Sequence, residues 1–242
     1  MSQHQLHGRR EEELLWFRRR SVLQAAAAWV GMGGFASAQA QNSSNVVHSS
    51  GEALLNGQRL RSDQPIQPGD TLSTGPNSKL IFVIGTSAFH VRENTTLSTE
   101  RGLSDVAVGL LRLVTGAVVS VWGKGPERKI VTPTITAGIR GTGVYTEVLA
   151  HQGGRSYFCN CYGTVDLRAG NDQTTSESEY HQAFWGEVEP RNGRLITPAG
   201  ALNHTDEEVE FLAQLVDQKT AWQITGRKGH PKSGSGTGSE RY

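Results

Sequence analysis

The sequence predicts a mainly β protein with one amphipathic helix near its C-terminus. Glycine accounts for 29 of the 242 residues, and charged side chains for only 19%. Short runs rich in Val, Ile and Thr alternate with turns that contain Gly, Pro or Asn, a pattern typical of short strands. We expect these strands to form a β-solenoid or a sandwich-like domain.

The charge of the chain argues against two classes of partner. Residues 1–40 contain five of the 24 basic and three of the 23 acidic side chains, so the remainder has 19 basic and 20 acidic residues. A chain so close to neutral has no basic surface for nucleic acid or for an anionic membrane. We therefore expect no nucleic-acid partner.

The N-terminus predicts a twin-arginine-type signal peptide over residues 1–40. Phe17–Gln24 reads FRRRSVLQ, in which consecutive arginines precede a polar residue and an apolar run. That run, Val22–Phe35, is shorter and less apolar than the about 20 residues of a membrane-spanning helix. Small residues allow cleavage after Ala38 or Ala40, which predicts a periplasmic protein; an uncleaved N-terminal membrane anchor is the alternative. We expect no transmembrane segment in the mature chain.

The first half of the mature chain predicts short strands joined by tight turns. Asn56-Gly57 favours a two-residue hairpin, because both residues accept positive φ. Lys79–Ile84 is apolar at nearly every position, which predicts a strand buried on both faces. Val106–Val114 and Ala117–Trp122 predict two further strands, separated by the intervening Thr-Gly.

The second half predicts more strands and then a helix. Arg155–Tyr162 and Thr164–Arg168 predict a hairpin that turns at Gly163, and the polar run Ala169–Glu179 predicts a loop. A capping box, TDEE at 205–208, precedes apolar residues at helical spacing and predicts a helix over about residues 204–218. The predicted organisation is a β domain (41–170), a C-terminal extension that contains the helix (171–225) and a disordered tail (226–242).

The stretch Val131–Val148, VTPTITAGIRGTGVYTEV, places an arginine in a Gly- and Thr-rich turn between two β-like runs. It resembles the signature of the FecR-type periplasmic domain. Pro68–Gly75, the apolar strand that ends in Ile84-Gly85, and Tyr162–Val165 follow the order of that family's motifs. The resemblance covers about residues 51–167, roughly half of the chain. Its signature residues are Asp70, Thr132, Pro133, Gly138, Arg140, Gly141 and Thr142.

The resemblance implies a module that receives a signal from an outer-membrane transporter. In that family, full-length regulators join the periplasmic module to a cytoplasmic segment that binds a sigma factor. Here only about 20 residues precede the apolar run, too few for a folded cytoplasmic domain. We therefore do not carry direct control of a sigma factor over to this chain. A regulator that has lost its cytoplasmic half and works with a separate membrane partner is a third possibility.

Arg140 has two interpretations. Its planar guanidinium suits a carboxylate or phosphate of a partner. An arginine in a Gly-rich β turn more often pairs internally, and Asp70 is the partner that we predict for it.

Two cysteines and two histidines form a candidate metal site. Cys159 and Cys161 are two residues apart on a predicted strand, so both sulfurs should lie on one face together with Tyr157. His181 and His204 could complete a set of two sulfur and two nitrogen ligands. Zinc is the default ion for such a set, copper is an alternative, and haem iron is a third candidate.

Other interpretations of these residues stay open. Cys159 and Cys161 could form a disulfide in an exported protein, or pack as small apolar side chains. His181 and His204 could be surface residues.

The sequence contains no catalytic motif that we can identify, neither a Gly-x-Ser-x-Gly elbow nor a His-Glu-x-x-His pair. We therefore expect a non-catalytic sensing or binding module of the cell envelope, which docks a protein partner through its β edges. The alternative is a periplasmic metal- or haem-binding protein.

Overall fold

The structure is a computed structural model that describes residues 44–103, 107–229 and 232–233. The predicted signal peptide (1–40) and most of the predicted disordered tail (226–242) lie outside these ranges. Within them, no helix combines the length and the apolar character needed to cross a membrane. The chain is mainly β, as predicted, and the described strands join in one hydrogen-bonded sheet.

The secondary structure of the described residues consists of fourteen strands, a 3-10 turn (Ala150–Gln152) after the tenth of them, two short α-helices and a last two-residue strand. The strands are β1 (Val46–Ser50), β2 (Ala53–Leu55), β3 (Gln58–Arg59), β4 (Thr71–Thr74), β5 (Lys79–Ile84), β6 (Ser87–Val91), β7 (Thr96–Arg101), β8 (Val108–Trp122), β9 (Arg128–Val131), β10 (Thr136–Leu149), β11 (Arg155–Ala169), β12 (Asp172–Ser178), β13 (Gln182–Arg191), β14 (Arg194–Ala199) and β15 (Lys232–Ser233). The helices are α1 (Asp206–Leu215) and α2 (Ala221–Thr225).

Three long strands divide the sheet into two layers. The first half of β8 pairs with β7 and β9, whereas its second half pairs with β6 and β10. β10 and β11 likewise run through both layers. β12 pairs with the half of β11 that lies in the first layer, and β13 pairs with the half that lies in the second. β4 and β2 extend the first layer, and β5, β1 and β14 extend the second. A strand that changes layers at a bend is typical of packed sheets.

Each long strand changes layers at a glycine with positive φ: Gly116 in β8 (77°), Gly141 in β10 (64°) and Gly163 in β11 (99°). A Cβ at Gly163 would lie 2.5 Å from a methyl carbon of Thr142, so a larger residue does not fit. The predicted hairpin at Gly163 is therefore wrong, and so is the division of β8 into two strands at Thr115-Gly116. The chain bends at these bulges and continues in the same direction.

The loop predicted over Ala169–Glu179 is also wrong, because Asp172–Ser178 forms β12 and pairs with β11. Buried and exposed positions alternate along this strand, but its buried side chains are Thr174 and Ser176. Because both buried positions are polar, the sequence shows no alternation of apolar and polar residues that would predict a strand here. The predicted domain boundary at residue 170 falls between two neighbouring strands of the same sheet.

Two local predictions in the first half are confirmed. β2 and β3 form a hairpin through Asn56 and Gly57, whose φ values are 53° and 78°. Lys79–Ile84 forms β5, in which four of the six residues are buried.

The molecule has two apolar cores, on opposite sides of the second layer. The inner core lies between the layers and is built only from the β part of the chain; Phe82, Trp122 and Phe158 are among its largest members. The outer core lies between the second layer and the helices, and it includes Val119, Tyr145 and the helical residue Leu212. Alternation along the strands of the second layer sends successive side chains to the two cores.

The predicted C-terminal helix is present as α1. The amide of Glu208 donates to Thr205 Oγ1 at 3.3 Å, and the carboxylate of Glu208 accepts from the Thr205 amide at 3.0 Å, so the predicted capping box is confirmed. The helix ends at Leu215, earlier than the predicted residue 218, and Asp217 has a φ of 55°. The short helix α2 was not predicted, because a single turn gives no helical periodicity.

Candidate metal centre

The two cysteines lie on β11 and point away from the inner core into the outer one. Cys159 pairs across the sheet with Tyr145 of β10 and with Ala183 of β13. Cys159, Cys161 and Tyr157 share one face, as the two-residue period predicts. Both cysteines are free and fully buried.

His181 immediately precedes β13 and has a strained backbone. Its φ is 40°, and every other described non-glycine residue with positive φ is Asn or Asp. Its amide donates to the Cys161 carbonyl at 2.9 Å, which holds the ring beside the two sulfurs. Strained residues of this kind cluster at binding sites, where the surrounding structure compensates for the strain.

His204 lies in the segment between β14 and α1, next to the helix cap. Its ring stacks on Tyr145 with centroids 4.8 Å apart and planes inclined by 13°. The side chain is fully buried, as is that of His181. The prediction that these histidines could be surface residues is therefore wrong.

The four side chains converge on one point. Cys159 Sγ lies 3.6 Å from His181 Nδ1, and Cys161 Sγ lies 3.4 Å from His204 Nε2. The two ring nitrogens are 3.0 Å apart. All four ligand atoms lie within 4.8 Å of one another, so this buried group could hold a metal ion.

Each histidine has an acceptor on the ring nitrogen that faces away from the cluster. His181 Nε2 lies 2.8 Å from Asp206 Oδ1, and His204 Nδ1 lies 2.6 Å from the Leu202 carbonyl. These acceptors favour a proton on the outward nitrogen and a lone pair on the inward one. A carboxylate or carbonyl in this position is the usual partner of a histidine that binds metal.

The environment of the cluster shifts the pKa values of its members in different directions. Burial alone would raise the pKa of Cys159, but interactions with Cys161 and with both histidines together hold that pKa well below its ordinary value. Burial and the neighbouring Cys159 sulfur raise the pKa of Cys161. Burial lowers the pKa of His181, but the hydrogen bonds and charge interactions with Asp206 and Cys159 together outweigh it and raise this pKa to about 9. The Cys159 thiolate is also the form of cysteine that binds metal.

Aromatic rings enclose the cluster on its helical side. Trp222 of α2 stacks on His181 with centroids 5.4 Å apart, and its edge packs against Tyr162 and Tyr180. The indole N–H donates to Glu210 of α1 at 2.6 Å, which fixes the ring in place. Aromatic rings therefore line the helical side of the cluster.

The FecR-like signature residues lie elsewhere, around the bend of β10. Arg140 is exposed and pairs with Glu127 at 3.3 Å and Asp166 at 3.5 Å, beside a cleft of about 190 Å³. The predicted partner Asp70 is wrong, because its carboxylate accepts hydrogen bonds from the Asn56 side chain and the Gln67 amide. The pairing of Arg140 is internal, but its partners come from the loop before β9 (Glu127) and from β11 (Asp166).

The other signature residues near Arg140 lie in the turn before β10 or within β10 itself. Thr132 Oγ1 accepts from the amide of Ile135 at 2.9 Å and so closes the turn that contains Pro133. Gly138 faces Glu127, since a Cβ there would lie 3.3 Å from its carboxylate oxygen. Thr142 is buried beside Gly141 at the bend.

Sequence reasoning missed two groups of residues near the cluster. Asp206, the acceptor of His181, follows His204 by two positions and lies inside the capping box, which is a signal that could have identified it. Glu208 is fully buried and lies 2.7 Å from Arg92, the residue that follows β6. His90 Nδ1 lies 3.1 Å from the same carboxylate. No local pattern links residues so distant in sequence.

Comparisons of this chain with protein families, with curated proteins and with solved structures returned no match.

Proposed function

We propose that this protein binds one zinc ion through Cys159, Cys161, His181 and His204, within a non-catalytic FecR-like module exported to the cell envelope. The separations between the ligand atoms carry the proposal. A tetrahedral zinc site with Zn–S of about 2.3 Å and Zn–N of about 2.0–2.1 Å has S···N separations of about 3.5–3.6 Å. Two of the S···N separations in the cluster are 3.4 and 3.6 Å.

The histidine orientations support a cation at the centre. With both outward nitrogens donating, Nδ1 of His181 and Nε2 of His204 present lone pairs to each other at 3.0 Å. Such lone pairs repel unless a proton or a metal ion lies between them. A proton satisfies two of the four convergent atoms, whereas a tetrahedral ion satisfies all four.

Zinc fits the ligand set better than the other candidate ions. Two thiolates and two imidazoles at tetrahedral separations are a common structural zinc set. Copper would also accept these ligands, so the metal content of the protein distinguishes the two. Haem does not fit, because four protein ligands that converge on one ion leave no positions for the porphyrin nitrogens.

A structural role follows from the closed site. Structural zinc sites use four protein ligands, whereas catalytic sites keep one position for water or substrate. The contacts of Cys159 with His181, and of His181 with Asp206, resemble those of a catalytic nucleophile, its base and the acid that orients the base. The fully buried sulfur, however, gives a substrate no access. We therefore propose that the ion stabilises a module whose function is to sense or bind.

The resemblance to the FecR-type domain supports the envelope role. In this interpretation the β layers dock a protein partner through their edges, and the exported protein carries its metal in the periplasm. The mainly β architecture is compatible with such a module.

Metal analysis of the full chain, purified from a periplasmic fraction, tests the proposal. We expect close to one zinc per chain by elemental analysis, and cysteines that react with a thiol reagent only after chelation. His204→Gln should reduce the zinc content strongly, because it removes one of four ligands. His90→Gln is the matched control: His90 is also a buried histidine but lies outside the cluster, so this variant should keep its zinc.

Three results would contradict the proposal. A metal-free protein with two slowly reacting thiols would make the cysteines core packing. A metal-free protein without free thiols would indicate a disulfide. Stoichiometric copper or iron in place of zinc would reject the choice of ion.

A further inference from the structure

The second layer is covered on its outer face by residues 204–225, which we name the helical cover. It comprises α1, α2 and the residues between and immediately before them. Val209 and Leu212 of α1 and Trp222 of α2 pack on the outer core. No residue of the cover belongs to the inner core between the layers. The β layers therefore have a core that does not depend on the cover.

The cover cannot be expected to hold its structure alone. α1 has ten residues and α2 has five. Isolated helices shorter than about 12–15 residues are marginal in water, so these helices depend on their contacts with the sheet. The contacts that attach the cover to the sheet therefore determine whether the cover is folded.

The metal ligands are divided between the cover and the β part of the chain. Cys159, Cys161 and His181 belong to the strands and their connections, whereas His204 is the first residue of the cover. Asp206, in the first turn of α1, accepts the outward hydrogen bond of His181. An ion in this cluster is therefore a cross-link between the sheet and the cover.

We propose that the metal ion locks the helical cover onto the second layer, so that loss of the ion releases the cover and exposes the apolar sheet face while the β layers stay folded. The inference rests on the proposed zinc site. The face that would be exposed includes Ala88, Val119 and Val121. Exposed apolar faces of this kind commonly bind other proteins, so the ion would control access to it.

The size of the effect follows from linkage. If the closed form alone binds the ion, the equilibrium constant for opening falls by a factor of one plus the ratio of free metal to Kd. At a free zinc concentration about 100 times the Kd, opening is suppressed about 100-fold relative to the chelated protein. Hydrogen exchange of the amides in the cover reports this equilibrium directly.

Hydrogen–deuterium exchange of the full chain, with zinc and after chelation, tests the proposal. Peptides from residues 204–225 should exchange about 100-fold faster after chelation, under the saturation stated above. Peptides from β4, β5 and β7, whose buried residues belong mainly to the inner core, should change little. Equal acceleration in both sets would mean global destabilisation and would overturn the proposal, as would unchanged exchange in the cover despite loss of zinc.

One variant distinguishes the attachment of the cover by the ion from metal binding as such. His204→Gln removes the one ligand of the cover and leaves three ligands on the β part. Three ligands bind zinc more weakly than four, so zinc is added at a concentration that saturates the variant, and it should then slow exchange near Cys159 and His181 but not in the cover. Protection of the cover by zinc in this variant would overturn the cross-link. If the unmodified chain binds no zinc, both the proposed function and this inference are rejected. If it binds zinc but hydrogen exchange in the cover does not slow, only this inference is rejected.

Discussion

Replacing Glu208 by glutamine should destabilise the protein by about 3 kcal/mol near neutral pH, because it leaves a charged partner uncompensated in the outer core. The Glu208 carboxylate is fully buried and lies 2.7 Å from a guanidinium nitrogen of Arg92. It also accepts from the Thr205 amide at 3.0 Å. Removing one partner of a buried ion pair costs about 3–5 kcal/mol. Since Arg92 retains 16% exposure, we expect the lower end of that range.

The same change should alter the acid stability of the protein. Burial raises the pKa of Glu208, but Arg92 and His90 outweigh it and hold this pKa below its ordinary value of 4.5. A carboxylate with a lowered pKa stabilises the fold above its unfolded pKa, and this contribution disappears as the pH falls through the folded pKa. The difference in stability between the two proteins should therefore be full at pH 7 and should vanish in strong acid.

Urea unfolding at a series of pH values measures both effects. A loss of about 3 kcal/mol corresponds to a fall in Tm of about 6–12 °C for a chain of this size. Glu207→Gln is the matched control, because it removes a neighbouring carboxylate from the same helix turn. Its effect should stay within about 0.5 kcal/mol. Equal stability of the two variants at pH 7 would refute the reasoning, and so would a difference that does not depend on pH.

Three further predictions concern the metal site, a packed glycine and the FecR-like signature. Asp206→Asn should weaken zinc affinity about 10- to 100-fold, because the carboxylate that orients a histidine ligand is lost. A competition titration with a chromogenic chelator at about pH 9.5, where that histidine is largely neutral in the metal-free protein, measures this; unchanged affinity would contradict it. Gly143→Ala should cost about 1–3 kcal/mol in urea unfolding, since the added Cβ would lie 2.4 Å from a ring carbon of Tyr162. Gly200→Ala, which has no atom within 4 Å of the added Cβ, is its near-neutral control. Arg140→Ala should change the free energy of unfolding by less than about 1 kcal/mol, because its ion pairs are exposed; a larger loss would mean that this arginine holds the layers together.

The sequence predicts those features of the fold that depend on local periodicity. The hairpin at Asn56-Gly57, the apolar strand β5 and the capping box of α1 each depend on residues that are close in sequence. The bends at Gly116 and Gly163 do not, because a glycine between two β-like runs suits a reversal as well as a bulge. Only the pairing of each half-strand with a different neighbour distinguishes the two.

The candidate metal site likewise depends partly on local periodicity and partly on the tertiary fold. The two-residue period of a strand places Cys159 and Cys161 on one face, and this could be predicted from the sequence. His181 reaches them because β13 pairs beside β11, and His204 reaches them because α1 docks on the second layer. Such contacts are set by the tertiary fold. The acceptor Asp206 is two residues from His204, but its contact with His181 depends on the same docking of α1.

The complete burial of the four ligands has a kinetic consequence. An ion held by side chains without solvent exposure can leave only when the surrounding structure opens, so its exchange is limited by that opening. The identity of the bound ion would then depend on which metal ions are available while the chain folds. It would not follow the equilibrium order of affinities, in which copper exceeds zinc. A chain that folds before export would carry the metal of the cytoplasm across the membrane. The same four residues would keep a different ion if the chain folded outside.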